Sequence, residues 1–291
     1  MIKNYVSFLF ICVLWSCSHK NFSSIFANES NPYPTAELAI RIGEAQVLSI
    51  PTNGDVKPQR LICNDVPIMF HEMGTTLKAY VAVPVKTSIK SFICELTYLL
   101  DKKEVKAIVA KVKILDKEFQ SEVLNVPQTT IDLSKKDLER YLKEKEIIAK
   151  AYATPNQAPL FYRPFVAPLN SVLTSTYGRK RIYNNQKENQ HGGVDFRAAV
   201  DTPVPAANSG KVVLAMDLFF SGKTVLIDHG LGIFTMYAHL NKLKTRVGEY
   251  VPQNAIIGLS GMTGRVSGPH LHWGVRVNSI NVDGMEFIKI K

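Results

Sequence analysis

The sequence predicts a mainly β protein of two domains joined by one helix, and three observations carry that prediction. Short apolar or alternating runs separated by turn residues fill residues 37–126 and 161–291. Residues 133–152 alone change to a helical period. Four prolines crowd residues 153–168 (ATPNQAPLFYRPFVAP), where the second β region begins. At 291 residues the chain is long enough to bury two cores.

The elements follow in order. Lys3 precedes an apolar run, Tyr5 to Ser16 (YVSFLFICVLWS), too short to span a bilayer comfortably but suited to the h-region of a signal peptide over residues 1–16. The run ends in Leu14-Trp15-Ser16-Cys17, which resembles the lipobox of bacterial lipoproteins, where the cysteine becomes the lipidated first residue. Trp15 departs from the small residue usual at its position. The expectation is export, with Cys17 anchoring the chain to a membrane of the bacterial cell envelope, facing the periplasm or the cell surface. Residues 17–36 are polar, rich in Ser and Asn, and read as a tether.

Residues 37–126 hold strand-like runs such as Leu77–Val83 and Val105–Ile114, with turns at Asn53-Gly54 and Asp101-Lys102-Lys103. With Cys12 in the signal and Cys17 lipidated, Cys63 and Cys94 remain as a pair, a reasonable disulfide in an exported protein. Several strands and one such bridge suggest an immunoglobulin-like β-sandwich. His71 is isolated there and reads as structural. Residues 127–160 form the linker. Ser134 is a good N-cap, Leu133 can staple against Leu138, and a thin stripe of Leu138, Leu142, Ile148 and Tyr152 follows. Such a helix reads as a spacer packed on one neighbour.

Residues 161–291 form the second β domain, with runs at Lys211–Ala215, Lys223–Ile227, Ile233–Tyr237 and Ala255–Gly258. The formal charge of +10 is concentrated here, with 15 Lys and Arg against 8 Asp and Glu. That excess favours polyanions, an anionic cell wall among them. The basic residues are scattered and no nucleic-acid motif accompanies them, so no nucleic-acid partner is expected.

Five of the seven histidines fall in this domain. In Gly268-Pro269-His270-Leu271-His272-Trp273, residues two apart share a face of a strand, so His270 and His272 project together while Leu271 and Trp273 pack behind. In His191-Gly192-Gly193-Val194-Asp195, a loop histidine and a strand carboxylate can reach one point. His191, Asp195 and His272 then make three N and O ligands for one Zn2+, leaving a fourth position for water. His239 and His270 stand as the catalytic pair, one to take a proton from water and one to stabilise an oxyanion. His229, in Asp228-His229-Gly230, has a turn-like setting and reads as structural.

The ordered motifs His-Gly-Gly-Val-Asp, Ile-Asp-His-Gly-Leu-Gly, Tyr-Ala-His-Leu and Thr-Gly-Arg-Val-Ser-Gly-Pro-His-Leu-His-Trp resemble the lysostaphin-type (LytM-like) zinc endopeptidases of peptidoglycan. The likeness runs from about Phe165 to Ile288 and includes Ser175-Thr176-Tyr177-Gly178-Arg179 and Asp201-Thr202-Pro203-Val204. It implies antiparallel sheets around an open groove, zinc on His191, Asp195 and His272, catalytic work by His239 and His270, and cleavage of peptide bonds in peptidoglycan stems or cross-links. Arg181–Gln190 and Met216–Gly222 are expected as loops that set groove specificity. Val282-Asp283-Gly284-Met285 departs from the Asp-Pro frequent in the family, at what reads as a surface turn. The alternative is a non-catalytic wall-binding or amidase-activator module, which should lack at least one of the five residues. A further expectation is that the N-terminal half restrains the site by lying across the groove.

Overall fold

Alternating polarity builds the N-terminal half. In the strand Lys103–Leu115, Ala107, Val112 and Ile114 are buried while Lys106, Lys111 and Lys113 face outward. A register shift opposite Cys94 and Glu95 buries Val109 and Ala110 in succession, as a bulge does. The computed structural model describes residues 33–52, 57–125 and 132–290. The expected signal peptide, Cys17, most of the tether and the Asn53-Gly54 turn lie outside them.

A five-stranded sheet runs in the order Ala36–Arg41, Lys103–Leu115, Ser91–Leu100, Lys57–Cys63, Val66–Ile68, with only the first pairing parallel. A three-stranded sheet, Ala45–Pro51, Thr76–Ala82, Phe70–Met73, packs against it. Ile40, Leu61, Leu96 and Val112 of the first and Leu48, Ile50, Leu77 and Val81 of the second share one core. Cys63 and Cys94 are directly opposed on neighbouring strands and form a disulfide, with Cα atoms 4.1 Å apart.

The helix spans Lys135–Ala153, and its N-cap Ser134 accepts the Asp137 N–H at 3.1 Å. Only the C-terminal half of the expected stripe packs. Leu138 and Leu142 are 44% and 49% exposed, whereas Ile148 and Tyr152 pack against Leu214, Leu218, Leu226 and Phe234. The buried residue of the helix is Glu144, whose carboxylate accepts the Phe219 N–H at 2.7 Å and pairs with Arg140 at 2.6 Å. One backbone donor on the sheet side and the apolar contacts of Ile148 and Tyr152 together hold the helix face here.

The C-terminal half is a ten-stranded sheet. Its main path is Leu173–Ser175, Val194–Arg197, His270–Val277, Ile233–Leu243, Gly222–Gly230, Gly210–Leu218, Tyr250–Val251. Trp273, Phe196, Tyr237, Leu271 and Ile227 are buried in its core. Arg181–Gln190, expected as a loop, lies in a hairpin of Lys180–Tyr183 and Lys187–Gln190 turned by Asn184 and Asn185 at φ 49° and 56°. Asparagine tolerates that left-handed conformation.

The two halves interlock, and the described residues form one compact unit. Ser121–Leu124 leaves the N-terminal half and pairs in parallel with Lys180–Tyr183, extending the hairpin to three strands. Asn278 Nδ2 donates to Tyr80 O at 2.7 Å. Asp283 is not at a free surface turn: its N–H donates to Gly43 O at 2.7 Å, and Lys117 Nζ lies between its carboxylate (3.2 Å) and that of Glu44 (3.0 Å). Gly43 takes φ 79°, and a Cβ there would come within 2.6 Å of Tyr177.

Candidate metal centre

Strand register brings the site together. In the antiparallel pair Val194–Arg197 and His270–Val277, Asp195 stands opposite His272 and Arg197 opposite His270. Leu271 and Trp273 are fully buried on the other face. On its second edge the same strand pairs with Ile233–Leu243, with Ala238 opposite His272, so His239 follows at the site's rim.

His191 enters from the end of the hairpin, its backbone held by Arg179 O and the Gly178 N–H, both at 2.9 Å. The Nδ1–H of His191 donates to Thr176 O at 2.9 Å, with Ser175 Oγ 3.2 Å away. This fixes the tautomer and leaves the lone pair of Nε2 facing inward. Gly193 is required beside it, because any Cβ there would collide with Trp273 O and the His272 ring.

Three donor atoms converge. His191 Nε2 lies 3.0 Å from Asp195 Oδ1 and 3.0 Å from His272 Nδ1, and these last two are 2.9 Å apart. Ligands at tetrahedral zinc distances would stand roughly 3.3 Å from one another, so the triangle is close to what zinc requires. Neutral imidazole lone pairs turned towards a carboxylate repel without a cation among them, so the donor set fits a metal. Burial pulls the Asp195 carboxyl upward, but positive charge or donated protons on the His191 and His272 side outweigh it and hold the group well below the usual carboxylate range; a cation among the three donors would take the place of those protons. Burial lowers the His272 imidazole, favouring the neutral form a ligand needs.

The second histidine pair sits beside this triangle. His239 and His270 have ring centroids 4.8 Å apart. The Nδ1–H of His239 donates to Thr263 O at 2.9 Å, its backbone N–H donates to Ser221 O at 2.8 Å, and its backbone is left-handed at φ 62°. Such a conformation in a non-glycine residue is costly and is kept where the surroundings over-determine it. Burial pushes this imidazole down to about 4. His270 Nδ1–H donates to Gly268 O at 2.9 Å, and its Nε2 lies 3.9 Å from Asp195 Oδ1. In both rings the bonded Nδ1 leaves Nε2 as a bare acceptor.

His229 takes no part in this cluster. It is fully buried, donates from Nδ1 to Ser209 O and accepts at Nε2 from Thr235 Oγ1, both at 2.7 Å. Sequence reasoning missed the groups that aim the histidines: Ser175, Thr176, Ser221, Thr263 and Gly268. Four of these act through backbone carbonyls, which no side-chain pattern reports. Ser175, Thr176, Thr263 and Gly268 lie in motifs already singled out, but their role depends on where the histidines land.

A His–Asp–His triangle on antiparallel strands, flanked by two histidines with free acceptor nitrogens, defines a domain of the metallopeptidase class. Residues 189–284 match the model of Peptidase family M23, and the C-terminal domain belongs to that family. The peptidoglycan DD-endopeptidase ShyA of Vibrio cholerae is 36% identical over 115 residues, 39% of this chain and 27% of that protein. Lysostaphin of Staphylococcus simulans is 40% identical over 105 residues, 34% of this chain and 21% of that one. The chain thus spans about a quarter of the length of these relatives. A crystal structure of a peptidase M23 protein from Pseudomonas aeruginosa covers 85% of this chain and 94% of its own at 27% identity, with a TM-score of 0.65.

Proposed function

We propose that the protein is a zinc-dependent endopeptidase that hydrolyses peptide bonds in peptidoglycan stems or cross-links. The convergence of His191 Nε2, Asp195 Oδ1 and His272 Nδ1 within about 3 Å of one another is the observation that carries this reading. Bound there, zinc would supply Lewis acidity, lowering the pKa of water and polarising a carbonyl oxygen. His239, held neutral and pinned at both its backbone N–H and Nδ1, offers Nε2 as the base that takes a proton from the attacking water. His270, pinned at Nδ1 with its ring centroid 4.8 Å from that of His239, presents Nε2, which on taking up a proton becomes the donor that stabilises the oxyanion on the attacked carbonyl. All five residues survive together, which argues against the non-catalytic activator reading.

Export and lipid attachment at Cys17 belong to the same proposal, supported by the apolar Tyr5–Ser16 run and the cysteine that follows it. The deciding experiment compares the purified protein with His272→Ala for bound zinc and for soluble fragments released from isolated peptidoglycan, read by mass spectrometry. Zinc and cleavage in the parent with neither in the variant is the expected result, and the fragment masses name the bond. Zinc without release from walls of several chemotypes would overturn catalysis.

A further inference from the structure

The inner side of Asp195 faces the two histidines, but its outer oxygen faces a cation. Arg181 Nη2 lies 4.0 Å from Asp195 Oδ2, while the same nitrogen donates to Ser175 Oγ at 3.2 Å. Ser175 Oγ is in turn 3.2 Å from His191 Nδ1. One guanidinium therefore stands behind two of the three donor residues. It is aimed from the other half of the molecule: Arg181 Nε donates to Glu122 Oε1 at 2.9 Å, and Arg179 Nη1 lies 3.4 Å from Glu122 Oε2. Glu122 holds that place because Ser121–Leu124 runs parallel to Lys180–Tyr183 with Glu122 in register with Arg181.

We propose that Glu122, supplied by the N-terminal half, is a positioning residue for the metal centre: it tethers Arg181 so that the arginine braces Ser175 and Asp195 without closing an ion pair on Asp195. At 4.0 Å the guanidinium stops at the outer limit of an ion pair, and Asp195 Oδ1 stays turned to the histidines. With Glu122 removed, Asp195 is the carboxylate left within ion-pair reach of Arg181 among the described residues. A mobile uncompensated guanidinium then competes with a cation for the Asp195 carboxylate, and Ser175 loses the donor that fixes it behind His191. In this arrangement the N-terminal half completes the site. The inference rests on the zinc reading above.

The test measures zinc dissociation constants by chelator competition on the full chain, alongside the thermal midpoint of the metal-free form. Glu122→Gln and Arg181→Gln should each weaken zinc by about tenfold, as removal of groups behind a metal ligand does. The double variant should fall no further than the weaker single one, because the two residues act as a unit. Lys86→Ala breaks another bridge between the halves, to Glu188 at 2.7 Å, and should leave zinc affinity unchanged. Zinc bound within twofold of the parent by both single variants, or an equal loss in Lys86→Ala, overturns the role of Glu122. A parent that takes up no zinc overturns the metal-centre reading itself.

Discussion

Asp195 and His272 face each other across neighbouring antiparallel strands, with Oδ1 of one 2.9 Å from Nδ1 of the other. Asp195→Asn keeps the shape of the side chain but removes the only charge among the three donors. Zinc affinity should fall by at least on the order of a hundredfold, at or beyond the upper end of what changes behind a ligand produce. Chelator competition reads the affinity, and an unchanged near-ultraviolet circular dichroism spectrum confirms that the sheet is intact.

His239 and His270 should behave differently from the donor triangle. Replacing either by alanine should leave zinc bound within severalfold of the parent, while kcat/KM on a soluble wall fragment drops about 10²–10⁴-fold, the usual scale for a lost acid–base group. A variant that loses metal and activity together would place its histidine among the ligands instead.

Acid stability should reflect His229. Burial pushes this imidazole down from 6.5 to about 4. Between those values the unfolded chain binds a proton that the folded chain refuses, so stability rises with pH across the window and is lost as pH falls from about 6.5 to about 4. The loss is on the order of 3 kcal/mol for a fully buried group. Urea titrations at intervals of pH should show this slope, and a His229→Gln variant, less stable at neutral pH, should show a flatter one.

Glu144 should matter to stability more than any leucine on its helix. Glu144→Ala orphans the Phe219 N–H and should cost about 1–3 kcal/mol. Leu142→Ala, at a half-exposed position, should cost well under 1 kcal/mol. The urea midpoints of the two variants order these effects.

Reduction of Cys63–Cys94 opens a loop with a sequence separation of 31 residues. The chain-entropy model gives about 3–4 kcal/mol for it. A denaturation midpoint lowered by reductant in the parent, and unmoved in the Cys63→Ser/Cys94→Ser double variant, is the expected result.

Much of the β architecture was legible because it rests on the period-two rule. His270 and His272 share a face because Leu271 and Trp273 need the other. The Cys63–Cys94 bridge was legible from the cysteine count and not from the strand period. The helix was legible from Ser134 and its change of period, and so was the packing of Ile148 and Tyr152. Leu138 and Leu142 of the same stripe stay exposed, and the bond of Glu144 to the distant Phe219 N–H left no mark in the sequence. The hairpin at residues 180–190 was hidden because Lys187–Gln190 is polar throughout, and its third strand comes from residues 121–124. Parallel pairing across nearly sixty residues leaves no local mark. Asp283 reads as a turn residue because nothing near it announces that Gly43 and Lys117 will meet it.

The strand His270–Val277 lies between Val194–Arg197 and Ile233–Leu243, both synthesised before it. The sheet therefore waits, during synthesis and folding, for a late segment to be inserted into its middle, and such non-local closure is slow. Of the five side chains at the site, His191, Asp195 and His239 precede that segment in the chain, and His270 and His272 arrive on it together. One strand thus brings both the last donor and the last of the paired histidines, so the site cannot be complete before that strand pairs with its two neighbours.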